Sequence, residues 1–233
     1  MKRLLLLVVV LVAAAVFGGG ALLGLVVRSR VAAAGTAAFG TRMTVASASV
    51  SLLGGSVTLS GLEVAQPAGF SADRAIRVER IDLSPVGWRG LIADPAALRT
   101  IWITSPEVTI EVGAGGTSLG RLMENLQARP KIPARRLQVG LVHVTTPSLR
   151  LVGSLVLKAE QTFALPGFEL ADVRAGGDVT LAELLLQVLA RMLGHASLPA
   201  DVAALLRKDE VLRRVQSPVE GVKKALDDLL RPK

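Results

Sequence analysis

Ile101-Trp-Ile-Thr-Ser-Pro-Glu-Val-Thr-Ile110 is echoed 41 residues later by Val142-His-Val-Thr-Thr-Pro-Ser-Leu-Arg-Leu151, with apolar positions, Thr and Pro coinciding. Inside each copy apolar and polar residues alternate, which is the period of a strand with one buried face. Proline has no N–H to give a sheet ladder. Pro106 and Pro147 therefore mark breaks or edge positions where one strand turns into the next. The unit reads as strand, Pro corner, strand.

Alternation continues on both sides of the repeat. Residues 56–65 set Val57, Leu59, Leu62 and Val64 among Ser, Thr and Glu, and Gly61 shifts the phase by one residue, as a bulge does. Ile76 and Val78 alternate with Arg77 and Glu79, after which Ile81 and Leu83 resume one step out of phase. Short apolar segments recur at 155–159, 163–165 and 168–170. Strands at this spacing, without helical periods between them, predict a mostly β fold: a bent, groove-like antiparallel sheet of about eight strands.

Helices are expected at the C-terminal end. Thr180 and Glu183 fit a capping box ahead of Leu184, Leu185, Val188, Leu189 and Met192, with Gly194 as the stop. Residues 201–215 read as a second amphipathic helix, and Ser217, Pro218 and Glu220 start a third that carries Val222, Leu226, Leu229 and Leu230.

The opposite end is of another kind. Leu4 to Val27 carries no charge and is bracketed by Lys2, Arg3, Arg28 and Arg30. As a helix it extends about 36 Å, enough to cross a hydrocarbon core of about 30 Å. Ala32 to Ala34 offer a signal-peptidase-like site, but the run far exceeds a signal-peptide core and arginines precede the alanines, so an uncleaved anchor is expected. Its short N-terminal tail is expected to stay cytoplasmic while the rest is exported. Gly20 and Gly24 form a small-xxx-small spacing of the kind that lets two membrane helices approach. The resulting division is a transmembrane anchor over 1–30, a small-residue linker over 31–41, a β domain over 42–179 and a helical segment over 180–233.

Composition excludes several classes. Apolar residues make up 51% and aromatics 3%, with no Tyr, so the core must be aliphatic. The net charge of +8 divides as +4 over 1–30, +2 over 31–179 and +2 over 180–233. Half of it therefore flanks the anchor, and no nucleic-acid partner is implied. Absence of Cys rules out disulfides, thiolate metal sites, a Cys nucleophile and N-terminal Cys acylation. His143 and His195 stand in no metal-ligand spacing, and no GxSxG, P-loop or dinucleotide fingerprint occurs. No catalytic, metal or cofactor residues are assigned, and the chain is not expected to be an enzyme.

Gly35-Thr-Ala-Ala-Phe-Gly-Thr-Arg-Met-Thr-Val45, Val50-Ser-Leu-Leu-Gly-Gly-Ser-Val-Thr-Leu-Ser-Gly-Leu-Glu-Val64 and Pro67-Ala-Gly-Phe70 follow one another behind the anchor. In this order they resemble the N-terminal region of AsmA-like envelope proteins, in which a Gly-Thr-rich start leads to a strand pair, an NP-x-GF turn and units of the I-x-I-x-x-P-x-V-x-I kind. Gln66 stands where Asn is commonest in that pattern. The resemblance, running to about residue 175, implies a single-pass inner-membrane protein facing the periplasm. It also implies a bent sheet whose apolar face shelters phospholipid acyl chains, in lipid transport or outer-membrane homeostasis. It implies no catalytic residue and no cofactor. Even ten strands at about 4.8 Å make a groove of only about 50 Å, too short to cross a periplasm alone.

Two uses of the apolar face are open. As a lipid groove, Val57, Leu59, Leu62, Val64, Ile76, Val78, Ile101, Ile103, Val108, Ile110, Val142, Val144, Leu149 and Leu151 would face an acyl chain. Alternatively the C-terminal helices cover those residues as an ordinary core, and the protein is a non-enzymatic scaffold or interaction module with other envelope proteins as its partners. The sequence leaves oligomeric state open.

Overall fold

Leu22–Phe39 forms α1 in the computed structural model, which describes residues 22–51, 54–113, 116–128, 136–153, 160–171, 173 and 179–195. Most of the apolar run, the 155–159 segment and both expected helices beyond residue 200 lie outside the described residues. At 18 residues α1 is long and apolar enough to cross a membrane. It includes Val31 to Phe39, where a linker was expected. Five alanines in that stretch supply the helix propensity, and the helix ends at Gly40 (φ 66°), whose N–H donates to Thr36 O at 3.0 Å.

This helix runs antiparallel along the first strand, β1 (Met43–Val50). Arg28 Nε donates to Val45 O at 2.7 Å, and Met43 N donates to Thr36 Oγ1 at 2.9 Å. Gly24 lies so close to β1 that a Cβ there would run into Ala48 O. Helix positions 24 to 36 advance about 18 Å and strand positions 48 to 43 about 17 Å, so the two segments stay level along their shared length.

Nine further strands complete one sheet among the described residues: β2 (Val57–Ala65), β3 (Arg74–Pro85), β4 (Ala96–Gly113), β5 (Gly116–Thr117), β6 (Arg136–Thr145), β7 (Ser148–Gly153), β8 (Gln161–Ala164), β9 (Phe168–Ala171) and β10 (Val179–Thr180). The main order is β1-β2-β3-β4-β6-β10; β7 lies beside β4 beyond β6, with β8 on β7 and β9 on β6. Among the described residues three helices follow α1: α2 (Gly87–Ile92), α3 (Ser118–Ala128) and α4 (Leu181–His195).

The first four long strands form the expected antiparallel meander, but the sheet is mixed, because β6 and β7 both run parallel to β4. The physical reason is α3. A parallel return needs a crossover, and Leu119, Leu122, Met123 and Leu126 supply the helical period that an all-strand reading passes over. Parallel pairing also explains the repeat. Its two copies lie side by side with every partner 41 apart: Ile101 with Val142, Ile103 with Val144, Val108 with Leu149, Ile110 with Leu151. Pro106 and Pro147 fall in the gap of that ladder, between the Thr104–Thr145 and Glu107–Ser148 pairs, where their missing N–H groups leave no partner unsatisfied. Pro106 does not end its strand; β4 continues through it.

Gly61 likewise shifts phase without inserting a residue, since the β1–β2 register is unchanged across it. The registers place Ala46, Gly61, Glu79, Ser105 and Thr146 in one row across the sheet. On either side of this row the nearest inward residues are three apart instead of two: Val45 and Ala48, Leu59 and Leu62, Val78 and Ile81, Ile103 and Pro106, Val144 and Pro147. Gly61, Ser105 and Thr146 adopt positive φ (60°, 48° and 47°), and Ser105 Oγ and Thr146 Oγ1 share a hydrogen bond at 2.9 Å. The sheet is creased along this line, and the inward parity changes on every strand that crosses it.

Candidate functional site

The fourteen candidate groove residues do come together on one face. Val57, Leu59, Leu62 and Val64 come from β2; Ile76 and Val78 from β3; Ile101, Ile103, Val108 and Ile110 from β4; Val142 and Val144 from β6; Leu149 and Leu151 from β7. Thirteen are buried and Ile76 is half-buried against them. Ile110, Val142 and Leu151 have no exposed surface. The face is covered from three directions. Leu119, Leu122 and Met123 of α3, Leu184, Val188, Leu189, Met192 and Leu193 of α4, and Val27, Val31 and Phe39 of α1 belong to the same apolar cluster. Asn125 of α3 donates to Phe39 O at 2.9 Å and so ties the end of one covering helix to another. A cavity of about 650 Å³ opens beside the C-terminal half of α1, lined by Ala32, Ala33, Thr36, Ala37, Gly40, Thr41, Arg42 and Met43. None of the fourteen residues borders it.

The outer face carries a constellation that alternation alone does not distinguish. Thr58, Asp82, Trp102, His143 and Glu169 occupy one row across β2, β3, β4, β6 and β9. Thr58 Oγ1 donates to Asp82 Oδ1 at 2.6 Å, and the Arg80 guanidinium makes two bonds to Asp82, at 2.7 and 2.9 Å. Arg80 therefore holds the Asp82 carboxyl below the usual carboxylate range, against a smaller upward push from partial burial and with help from Thr58. Trp102, 43% exposed, stacks on His143 with centroids 3.9 Å apart and planes at 10°. His143 Nδ1 lies 2.9 Å from Glu169 Oε1. The signal in sequence was that Trp102 and His143 fill equivalent places in the two repeat copies.

These polar groups are tied to one another across a strand surface, as cross-strand pairs are. Among the described residues no group of three or more His, Asp or Glu is placed to hold a metal ion. His195 ends α4. Among the described residues the aliphatic side of the sheet is buried, and the other side is polar and partly aromatic. No protein-family model, curated protein or solved structure matches the chain.

Proposed function

We propose that this protein is a non-enzymatic, membrane-anchored envelope protein of the AsmA-like kind, whose β domain stands on the periplasmic side of the inner membrane as an interaction module with a closed apolar core. The observation that carries this is the burial of the expected groove residues beneath α3 and α4. A surface sealed by the chain's own helices contributes to stability through the apolar area it removes from water, and cannot at the same time hold hydrocarbon. Anchoring is supported by α1, which carries the charge-free N-terminal run directly onto β1. The outer row around Trp102 is then the surface offered to other envelope proteins.

One observation favours a second reading, in which the module handles phospholipid. The side of α4 that meets the sheet is entirely aliphatic, so withdrawal of this helix would leave a surface fit for an acyl chain. Photo-leucine incorporated into the full-length protein in native membranes separates the two. With the core closed, adducts at Leu149 and Leu151 join only other segments of the chain, whereas Leu22 and Leu25 label phospholipid. Phospholipid adducts at Leu149 would overturn the closed core and establish the lipid-handling reading.

A further inference from the structure

β1 is the last strand on its side of the sheet, pairing only with β2 among the described residues. A strand in that position offers a row of N–H and C=O groups with which another chain can pair. Neighbouring bonds show which groups those are. Arg42 O accepts from Ala65 N and Ser51 N donates to Ser56 O, so residues 42 and 51 turn toward β2. Counted from each end by the period of two, Met43 and Val45 turn their backbone groups away from β2 on one side of the crease, and Ala48 and Val50 do so on the other.

α1 occupies this row. Thr36 Oγ1 accepts from Met43 N at 2.9 Å and donates to Met43 O at 3.5 Å, Arg28 Nε donates to Val45 O at 2.7 Å, and Gly24 lies against Ala48 O. A Cβ at Gly35 would run into Met43 Sδ, so two glycines let the helix come this close. The strand's own sequence supplies no such protection. Edge strands are commonly blunted by lysine, inward-pointing charge or proline, and Met-Thr-Val-Ala-Ser-Ala-Ser-Val from Met43 to Val50 contains none of them.

The row is also complementary to itself. With two copies of β1 set antiparallel about a two-fold axis between Ala46 and Ser47, Met43 meets Val50 of the second copy and Val45 meets Ala48. Every outward backbone group then faces another outward group, because the change of parity at the crease is repeated by the symmetry. These four side chains lie on the inner face, where Met43, Val45 and Val50 are buried and Ala48 packs against the same cluster, so the apolar layer would continue across the joint. On the outer face Thr44 meets Ser49 and Ala46 meets Ser47, with no like charges opposed.

We infer that α1 is a guard on a self-pairing edge: the partner that the β1 edge fits is a second copy of this chain, and α1 must lift away before two copies can join through it. Arg28 and Thr36 hold the guard in place, which couples association to the position of the helix.

The chain has no cysteine, so single thiols report cleanly. In the paired register the two Cα atoms of residue 47 are about 6 Å apart, within disulfide range, and those of residue 49 about 18 Å apart, beyond it. Full-length Ser47→Cys and Ser49→Cys are oxidised in detergent micelles, each alone and combined with Gly24→Leu, whose side chain has no room beside Ala48. Arg28→Gln with Thr36→Val, which removes the polar ties without adding bulk, is the second opening variant and carries the test if circular dichroism shows Gly24→Leu unfolded. Opening is expected to raise the disulfide-linked dimer about tenfold at 47 and to leave 49 unlinked. No gain at 47 in a folded, opened chain overturns the self-pairing edge, and so does linkage at 49 equal to that at 47, the mark of unspecific association. Linkage at 47 as complete without an opening variant as with one, or amide exchange in β1 unchanged by both variants, overturns the guard.

Discussion

Glu111 shows how one side chain holds a turn. Its carboxylate accepts from Ser71 N at 2.9 Å on each oxygen, from Ser71 Oγ at 2.8 Å and from Ala72 N at 2.7 Å, so the loop after the Pro67–Phe70 turn is tied to β4. Partial burial pushes this carboxyl up, but the three donors together outweigh it and leave it below the ordinary glutamate range. A carboxyl lowered in the folded state stabilises the fold above its unfolded value of about 4.3, and that contribution is lost as pH falls through the lower folded value. The melting temperature is therefore expected to decline on acidification below about pH 4.3, and Glu111→Gln to flatten that decline; circular dichroism melts across pH 2 to 6 measure it. Thr146 offers a test of opposite sign. A β-branched residue at φ 47° is strained. Thr146→Asn, which tolerates that conformation and keeps a hydrogen-bonding side chain, should stabilise by about 0.5–1 kcal/mol in denaturant melts.

At the scale of elements, the contact between α1 and β1 decides how the domain is carried. Gly24 was half of a small-xxx-small spacing compatible with helix dimerisation, yet in the fold it faces the chain's own strand. Because the obstructing atom is a backbone carbonyl, even Gly24→Ala must push the helix away. A loss of about 1–3 kcal/mol is expected, with faster amide exchange in β1 as the local signature; unchanged exchange would mean that the helix does not bear on the strand. The repeat is an element-scale device too. Equal spacing around each proline lets two bent strands run parallel with their corners side by side, and the Ser105–Thr146 hydrogen bond joins those corners.

Over the whole molecule, one cluster runs from α1 through the sheet to α3 and α4. Truncation of a side chain at its centre should therefore be felt globally. Leu149→Ala is expected to cost about 2–5 kcal/mol. Leu149→Asp or Ile103→Asp should abolish folding, since an unpaired charge would be buried, and loss of the far-ultraviolet circular dichroism signal checks it. A folded Leu149→Asp protein would mean instead that this face is open. The same continuity predicts a single unfolding transition, with α4 and the sheet melting together.

Much of this was legible from residues alone. Alternation at Val57–Val64 and in both repeat copies identifies strands and the face they bury, because side chains on a strand have a period of two. The phase slips at Gly61 and between Val78 and Ile81 record the crease in the chain itself. A capping box at Thr180 and Glu183 marks the start of α4, and a charge-free run of 24 residues leads into α1, whose own 18 residues are long and apolar enough to cross a membrane. Pairing partners were not legible, since alternation says which way a side chain points and nothing about which strand lies beside it. Whether β6 runs parallel or antiparallel to β4 depended on a crossover helix with only three turns. Whether the apolar face is a groove or a core depended on where α3 and α4 dock, and an aliphatic surface looks the same in sequence under either cover. Tertiary packing decided the pairing and the burial of that face, because burial is a property of what comes to lie opposite a residue.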